Sequence, residues 1–240
     1  MCWPPWADNS AWCKVLITRG RPASELVLDV LSQISHVARK RVTVKVTIIV
    51  GSQRSPSASL RVGRYVAGEL EDQFETDTFL LELATSGLGF WDTDFSEKSG
   101  PQWENWAPIS DHLKTSDALI LVFPEWGGMA PPIMKNFMLL ASKDEIGDKP
   151  ALLVSVSSGM GGSYPIAELR ASAGKNSRVC IIPDHMIVRK VDEVLPDTLA
   201  CAPEVRDRLR YHLGNMLLYA DALANVRKSV VYNPRYKFGL

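Results

Sequence analysis

Five mostly apolar runs recur along the chain after residue 41 and predict the strands of a sheet. They cover residues 42–50, 74–84, 117–123, 150–156 and 178–183. Runs that are apolar on both faces are typical of strands in a parallel sheet that is covered on both sides. Because helical segments separate the runs, we expect an α/β fold. It is a doubly wound, five-stranded parallel sheet in the order 2-1-3-4-5, with helices on both faces.

Helical periodicity accounts for much of the chain between and after these runs. It predicts helices at about residues 60–70, 131–142, 164–175 and 204–228. Pro203 is suited to the first turn of the last helix. The helix at 131–142 is apolar over much of its circumference, so we expect the sheet to cover one side and a second subunit to cover the other.

Residues 85–110 form a long stretch between the second and third runs, and they include three tryptophans. A loop of this length in a compact domain is usually functional or disordered. The aromatic side chains argue against disorder, because exposing them to water is costly. We therefore expect a functional loop.

Residues 1–41 precede the regular pattern and are assigned to an N-terminal extension, partly helical or disordered. Periodicity within residues 22–40 indicates its helix. Six basic and three acidic side chains in residues 1–41 leave an organelle-targeting segment as an alternative. Residues 42–240 are assigned to one domain, which includes the C-terminal helix and a basic, aromatic tail. That tail could lie over a neighbouring subunit or over the domain's own surface.

Composition narrows the classes of partner. Lys plus Arg and Asp plus Glu each number 27, which gives a formal net charge of zero. That balance provides no general attraction to nucleic acid or to an anionic membrane. No run approaches the 18 continuous apolar residues of a membrane span. The four cysteines and four histidines show no metal-ligand spacing, so no metal is expected. We expect a cytoplasmic protein with a small-molecule partner.

The segment GSQRSPSAS, residues 51–59, joins the first run to the first helix. A helix N-terminus presents free backbone N–H groups that favour an anion. Hydroxyl and guanidinium donors at Ser52, Arg54, Ser57 and Ser59 could complete a phosphate site. The sequence contains neither GxxxxGK[ST] nor GxGxxG, so a monophosphate is favoured over a nucleoside triphosphate or a dinucleotide. The alternative is a polar turn with a capping serine.

Two further loops rich in small residues follow the third and fourth runs, PEWGGMAPP and SSGMGGSYP. In the first of them, Trp126 precedes Gly127 and Gly128, so an aromatic face lies next to accessible backbone N–H groups. A planar heterocycle could lie against this surface; the alternative is a tight turn with the indole in the core. In the second, residues 157–162 could close over the far edge of that ring, or could be a flexible connector.

Together the three loops are similar to known motifs. The segments are GSQRSPSAS, PEWGGMAPPIMKN and SSGMGG, within residues 44–190. They resemble the GSxRxxSxN, PEYNGSxPGxLKN and SxGxxGG motifs of the NAD(P)H-dependent FMN reductase family of flavodoxin-like proteins. Four positions depart from the family pattern: Trp126 replaces the usual Tyr, Gly127 replaces Asn, Pro132 replaces Gly, and Ser59 replaces a common Asn.

The resemblance implies a flavodoxin-like fold that binds FMN. It places the FMN phosphate at Ser52, Arg54, Ser57 and Ser59, and the flavin ring against Pro124, Glu125, Trp126, Gly127 and Gly128. It places the pyrimidine edge near Ser157, Gly159 and Gly161.

The implied activity is hydride transfer from NAD(P)H, as co-substrate, through FMN to a quinone, a free flavin or a metal oxyanion. No catalytic protein residue is implied, since the flavin carries the chemistry. The apolar circumference of the helix at 131–142, rather than the resemblance, predicts a homodimer or homotetramer with that helix in the interface. Two alternatives remain open: an FMN-binding electron carrier that accepts no hydride from NAD(P)H, and a regulatory flavoprotein.

Overall fold

The computed structural model describes residues 44–233 and residue 235. All five strands are parallel, in the order β2-β1-β3-β4-β5, which confirms the predicted topology. The strands are β1 (Lys45–Val50), β2 (Asp77–Glu82), β3 (Ala118–Pro124), β4 (Pro150–Val156) and β5 (Cys180–Val188). The predicted extension at residues 1–41 lies outside the described residues and stays a prediction.

The helices of the described part connect and cover these strands. They are α1 (Ala58–Phe74), α2 (Thr93–Ser96), α3 (Gly100–Thr115), α4 (Pro132–Leu140), α5 (Lys143–Ile146), α6 (Ser163–Ser172), α7 (Gly174–Ser177), α8 (Val191–Val194) and α9 (Pro203–Ser229). Four of them, α1, α4, α6 and α9, confirm the predicted helices with shifted ends. Among the described residues, no helix has the length and apolar character required to cross a membrane.

Apolar side chains fill both faces of the sheet, and β3 shows the arrangement most clearly. Leu119, Leu121 and Phe123 face the layer formed by α3, α4 and α6. Ile120 and Val122 face the opposite layer, formed by α1 and α9. Each such side chain contributes roughly 1.5–3 kcal/mol when fully buried. A strand covered on both sides needs apolar residues at every position, which explains the uninterrupted run in the sequence.

The prediction of one long loop over residues 85–110 was wrong in its second half. Helix α3 begins at Gly100 and buries Trp106 completely against aromatic side chains from α2 and α4. Pro101 lies in the first helical turn, where a missing N–H costs nothing, and α3 continues through Pro108.

The fifth strand is longer than the predicted run at 178–183. It extends to Val188 and passes through Pro183, which suggested a strand end. Proline is tolerated there because β5 is an edge strand, and its pairing with β4 shifts register between Ala151 and Leu153. The extra length places residues 189 and 190 at the carboxyl edge of the sheet, beside the candidate site.

Candidate functional site

Three loops leave the carboxyl ends of β1, β3 and β4, as the sequence predicted. We call them the first loop (residues 51–57), the second loop (residues 125–131) and the third loop (residues 157–162). Hydrogen bonds join them to neighbouring strand ends: Gly51 N–H donates to the Val122 carbonyl at 2.8 Å, and Glu125 N–H donates to the Val156 carbonyl at 3.3 Å. The three loops therefore form one edge of the sheet, where ligands bind in open α/β folds.

The first loop runs directly into helix α1. Ser57 is its N-cap, and the Ser57 hydroxyl oxygen accepts from Leu60 N–H at 3.1 Å. The capping interpretation is thus correct for Ser57, but its O–H can still donate to a ligand. Ser59 is buried, and its hydroxyl has no hydrogen-bond partner among the described residues. The hydroxyl oxygen is not among the fully buried polar atoms that lack a partner, so it remains accessible, and an accessible hydroxyl in the first turn of a helix is suited to an anion.

The other two predicted residues of the first loop differ in exposure. Ser52 is buried, and its hydroxyl oxygen accepts from Arg54 N–H at 3.4 Å, which folds the loop back on itself. The Arg54 side chain is exposed, and within the described part of the chain it makes neither an ion pair nor a hydrogen bond. Its guanidinium therefore remains available for a charged partner.

The second loop contains a tight turn at its tip. Trp126 and Met129 exchange two backbone hydrogen bonds, of 3.1 and 3.0 Å. Between them Gly127 and Gly128 have φ values of 57° and 77°. Two consecutive positive φ values define a type I′ turn, which favours glycine or asparagine.

The turn leaves the groups that a planar ligand needs accessible. The Trp126 side chain is half-buried and is not part of the core clusters, so the prediction of a tight turn is correct but the indole is not a core residue. The N–H groups of Gly127 and Gly128 donate to none of the described residues. An aromatic face and two free donors are thus adjacent.

Sequence reasoning did not identify the carboxylate that holds the second loop. Glu168 on α6 accepts from Ala130 N–H at 2.7 Å and from Lys135 Nζ at 2.8 Å. The ammonium of Lys135 and the N–H of Ala130 hold the pKa of Glu168 below its usual range. The available indication in the sequence is Lys135, a charged residue in a helix that is otherwise largely apolar.

The third loop is held from two sides and is not a loose connector. A Glu125 carboxylate oxygen accepts from Gly162 N–H. On the other side, Arg189 Nε donates to the carbonyls of Met160 and Gly161 at 2.8 and 3.2 Å. Sequence reasoning missed Arg189, because the fifth strand had been ended at residue 183. Glu125 was predicted to contact the flavin, and here its carboxylate organises the loop.

Gly162 ends the third loop in a conformation that requires glycine. Its φ is 107°, and a Cβ atom at this position would overlap the Ile187 side chain on β5. Gly159, by contrast, has open space around it. Ser157 accepts from Gly159 N–H through its hydroxyl oxygen at 3.2 Å. The backbone path of the third loop is therefore set by packing at one end and is open at the other.

A fourth segment, residues 86–92 after β2, adds aromatic side chains to this edge. Asn136 on α4 binds it, accepting from Trp91 N–H and donating to the Gly89 carbonyl, both at 2.9 Å. Phe90 is 76% exposed and Trp91 is 48% exposed. The functional-loop prediction for residues 85–110 stays a prediction, and it concerns this first part of the stretch.

The chemistry of the edge is that of a binding site for an anion attached to a planar ring. The first loop offers hydroxyl donors, a helix N-terminus and a guanidinium, and the second loop offers an aromatic face with free N–H donors. Among the described residues, no group of His, Cys, Asp and Glu is arranged to hold a metal ion.

Comparison with known proteins identifies relatives with related sequences. A quinone reductase from Pseudomonas putida is 27% identical over 124 residues, which is 50% of this chain and 63% of that protein. An FMN-dependent NADPH-azoreductase from Staphylococcus saprophyticus is 25% identical over 128 residues, or 53% of this chain and 68% of the relative. The matched part thus spans less than two thirds of the quinone reductase.

Solved structures share the fold. FerB, a flavoenzyme NAD(P)H:(acceptor) oxidoreductase from Paracoccus denitrificans, superposes with a TM-score of 0.59 at 19% identity, covering 76% of this chain and 98% of that one. An oxidoreductase from Corynebacterium diphtheriae gives a TM-score of 0.57 at 13% identity, with coverage of 75% and 98%. These likenesses support the flavodoxin-like doubly wound fold. Residues 44–193, more than half of the chain, match the sequence pattern of the NADPH-dependent FMN reductases, and the chain belongs to that family.

Proposed function

We propose that the protein is an FMN-dependent oxidoreductase that passes hydride from NAD(P)H through bound FMN to a small acceptor. The observation that carries the proposal is the set of donors at the carboxyl edge of the sheet that have no partner within the described part of the chain. They are the Ser59 hydroxyl, the Arg54 guanidinium and the N–H groups of Gly127 and Gly128. Family membership of residues 44–193 supports the same conclusion.

The first loop fits the phosphate of FMN. Ser57 and Ser59 can each donate an O–H, and the first turn of α1 contributes free N–H groups. The helix dipole alone contributes about 0.3–1 kcal/mol, so the hydroxyl and guanidinium donors are needed to complete the site. Ser52, Ser57, Ser59 and Arg54 are therefore the proposed phosphate ligands.

The second and third loops fit the ring. Trp126 provides an aromatic surface beside Pro124, and the N–H groups of Gly127 and Gly128 can stabilise negative charge on the pyrimidine side. We place the pyrimidine edge near the third loop, at Ser157, Gly159 and Gly161. The Glu125 carboxylate contributes by accepting a hydrogen bond from Gly162 N–H, which holds the third loop in place. A contact with the ring is thus not its only role.

FMN, when bound, supplies the acceptance of hydride from NAD(P)H and its delivery to the acceptor. The chain orients the ring, binds the phosphate and leaves one face of the ring accessible. The acceptor that we propose is a quinone or another small aromatic compound, in keeping with the quinone reductase and azoreductase relatives. The exposed rings of Phe90 and Trp91 at the same edge suit such an acceptor.

We also propose a homodimer in the cytoplasm, with α4 in its interface. Leu139 on α4 is 67% exposed, and Met129, in the second loop that leads into α4, is 54% exposed. Exposed large apolar side chains on a helix and on the loop before it favour a protein contact. Light scattering should give twice the mass of one chain at micromolar concentration, and a monomeric mass across that range would exclude the interface.

The visible spectrum tests the function directly. Purified protein with added FMN should retain a yellow chromophore after desalting, and NADPH or NADH should bleach it under anaerobic conditions. Ser59→Ala should lower the affinity for FMN about tenfold, because it removes one hydrogen bond to a charged group. Ser229→Ala removes an exposed hydroxyl at the end of α9 and should leave the affinity unchanged.

Two other results would contradict the proposal in different ways. Protein that stays colourless after incubation with FMN would exclude the flavin site and favour a regulatory role. Yellow protein that neither coenzyme bleaches would favour the electron carrier, since the cofactor would then be present without hydride transfer.

A further inference from the structure

A cavity of about 440 Å³ opens beside the first loop. It lies between that loop, the first two turns of α1, the end of β2 and the segment that follows α8. Its volume is within the range of small-molecule sites. The side chains that matter for the argument are Arg54, Leu60, Arg64, Glu82 and Leu199.

Three arginines line this cavity, and only one of them forms ion pairs with described residues. Arg61 is paired with Asp192 at 2.5 Å and with Asp197. Arg64 is exposed and has no ion pair or hydrogen bond to any described residue, and the same holds for Arg54. Arg54 is already assigned to the FMN phosphate, so Arg64 is the guanidinium of the cavity that has no partner among the described residues, and a guanidinium favours a phosphate group.

The remaining lining adds a hydrogen-bond acceptor and apolar surface. The Glu82 carboxylate, at the end of β2, accepts no hydrogen bond from the described residues, so a ligand hydroxyl would be a suitable donor. Leu60 and Leu199 provide apolar contact, and Leu199 is 44% exposed. A phosphate monoester, a neighbouring hydroxyl and a flat ring are the features of a phosphorylated nucleoside.

We propose that this cavity binds the adenosine 2′-phosphate of NADPH, and that Arg64 makes the protein prefer NADPH over NADH. The inference rests on the proposed function, which requires a nicotinamide coenzyme at this edge of the sheet. The two coenzymes differ only in the 2′-phosphate, so selectivity must come from groups that contact it. In the proposed complex the N-terminus of α1 holds the FMN phosphate, and a second phosphate needs cations of its own. Arg64 supplies one outside the first loop, and the Glu82 carboxylate can accept from the neighbouring ribose 3′-hydroxyl.

Titration calorimetry with 2′,5′-ADP and with 5′-ADP tests the site, using protein with FMN added. Wild-type protein should bind 2′,5′-ADP more tightly than 5′-ADP. Arg64→Gln should weaken 2′,5′-ADP about five- to tenfold, the loss expected for a partly exposed charged hydrogen bond. Lys175→Gln is the matched control, because it removes an exposed positive charge from α7 at the opposite edge of the sheet. It should leave binding unchanged.

Steady-state kinetics supply a second readout. The ratio of kcat/KM for NADPH to that for NADH should fall about fivefold in Arg64→Gln and stay constant in Lys175→Gln. Equal affinity of wild-type protein for the two adenine nucleotides, or an unchanged ratio in Arg64→Gln, would overturn the inference. So would a loss of FMN affinity in Arg64→Gln without a loss for 2′,5′-ADP, because the cavity would then serve the flavin phosphate. The calorimetry needs no hydride transfer, so absence of reductase activity would refute the proposed function without deciding this site.

Discussion

The two edges of the sheet carry similar residue types but use them differently. At the carboxyl edge, the hydroxyl of Ser59, the guanidinium groups of Arg54 and Arg64 and two glycine N–H groups have no partner among the described residues. At the amino edge, charged side chains are paired with one another. The difference shows which edge is organised for a ligand and which for stability.

Pairing at the amino edge links the last helix to the strand starts. Arg227 on α9 donates to Asp117 at 3.2 Å, next to the start of β3. Tyr232 donates its hydroxyl to Asp148, and its ring lies between cationic groups of Lys143 and Arg178, at 4.9 and 4.7 Å from the ring centre. The tail therefore lies, at Tyr232, over the domain's own surface, which is one of the two alternatives that the sequence left open.

Changes at the amino edge should lower stability and leave ligand binding intact, and Asp148→Ala should show the largest effect. Asp148 is buried, has a φ of 53°, accepts from Tyr232 and pairs with Arg178 at 3.7 Å. Its loss leaves both partners unpaired and puts alanine in a left-handed conformation, which should cost about 3 kcal/mol. Urea unfolding measures the cost. Asp144→Ala, which removes an exposed carboxylate from α5, should cost less than about 0.5 kcal/mol. A tenfold loss of FMN affinity in folded Asp148→Ala would break the proposed division between the edges.

At the carboxyl edge, Gly162→Ala should impair the site. The new methyl group meets Ile187, and φ is unsuited to alanine, so the third loop must move. We expect FMN affinity to fall about tenfold and stability to fall by about 2 kcal/mol. Gly68→Ala on α1 is the control, because Gly68 lies outside the proposed site and a Cβ there meets no atom within 4 Å. Equal effects of the two substitutions would show that packing against β5 does not set the loop.

The smallest expected effect concerns pH at the amino edge. Lys149 is buried and donates to the carbonyls of Leu113 and Lys114 at the end of α3. Burial, reinforced by the charge of Arg227, lowers the pKa of Lys149 from 10.5 to about 8. Between these two values the unfolded chain binds more protons than the folded protein, so the stability contributed by Lys149 rises with pH.

Wild-type protein should therefore gain about 1.5 kcal/mol relative to Lys149→Gln between pH 8 and pH 9.5. Urea unfolding of both proteins across that range gives the difference. The corresponding comparison with Lys175→Gln, an exposed lysine of α7, should be flat. A flat difference for Lys149→Gln as well would mean that its pKa is not lowered by burial.

Local pattern was sufficient for the parts of the fold that depend on burial. The run at 150–156 matches β4 at both ends, because a central strand is apolar along its whole length. Helix α3 was missed, although Trp106, Ile109 and Leu113 lie at helical spacing and are buried together. The stretch was expected to be a loop, and only the structure shows that Trp106 packs against α2 and α4.

The candidate site likewise contains residues that the sequence could identify and residues that it could not. Small residues after apolar strands indicate turns and close approach of the backbone to a ligand. The loops that carry Ser57, Ser59 and the Gly127–Gly128 turn could therefore be recognised from the sequence. The residues that hold those loops could not. Glu168, Arg189 and Asn136 bind loop residues between 28 and 47 positions away in the chain. Nothing in the local pattern identifies such a partner.

The sequence by itself determined the layer architecture and the edge at which a ligand would bind. The layers follow from which residues avoid water, and the edge follows from the loops after parallel strands. The strand order 2-1-3-4-5 is that of a known doubly wound fold that five such strands fit, and right-handed crossovers fix the topology once that order is given. Only the tertiary structure decided which polar groups of the described residues form hydrogen bonds or ion pairs and which do not. Arg61 and Arg64 cannot be distinguished by local sequence. Whether a carboxylate pairs with either guanidinium depends on where residues distant in the chain come together.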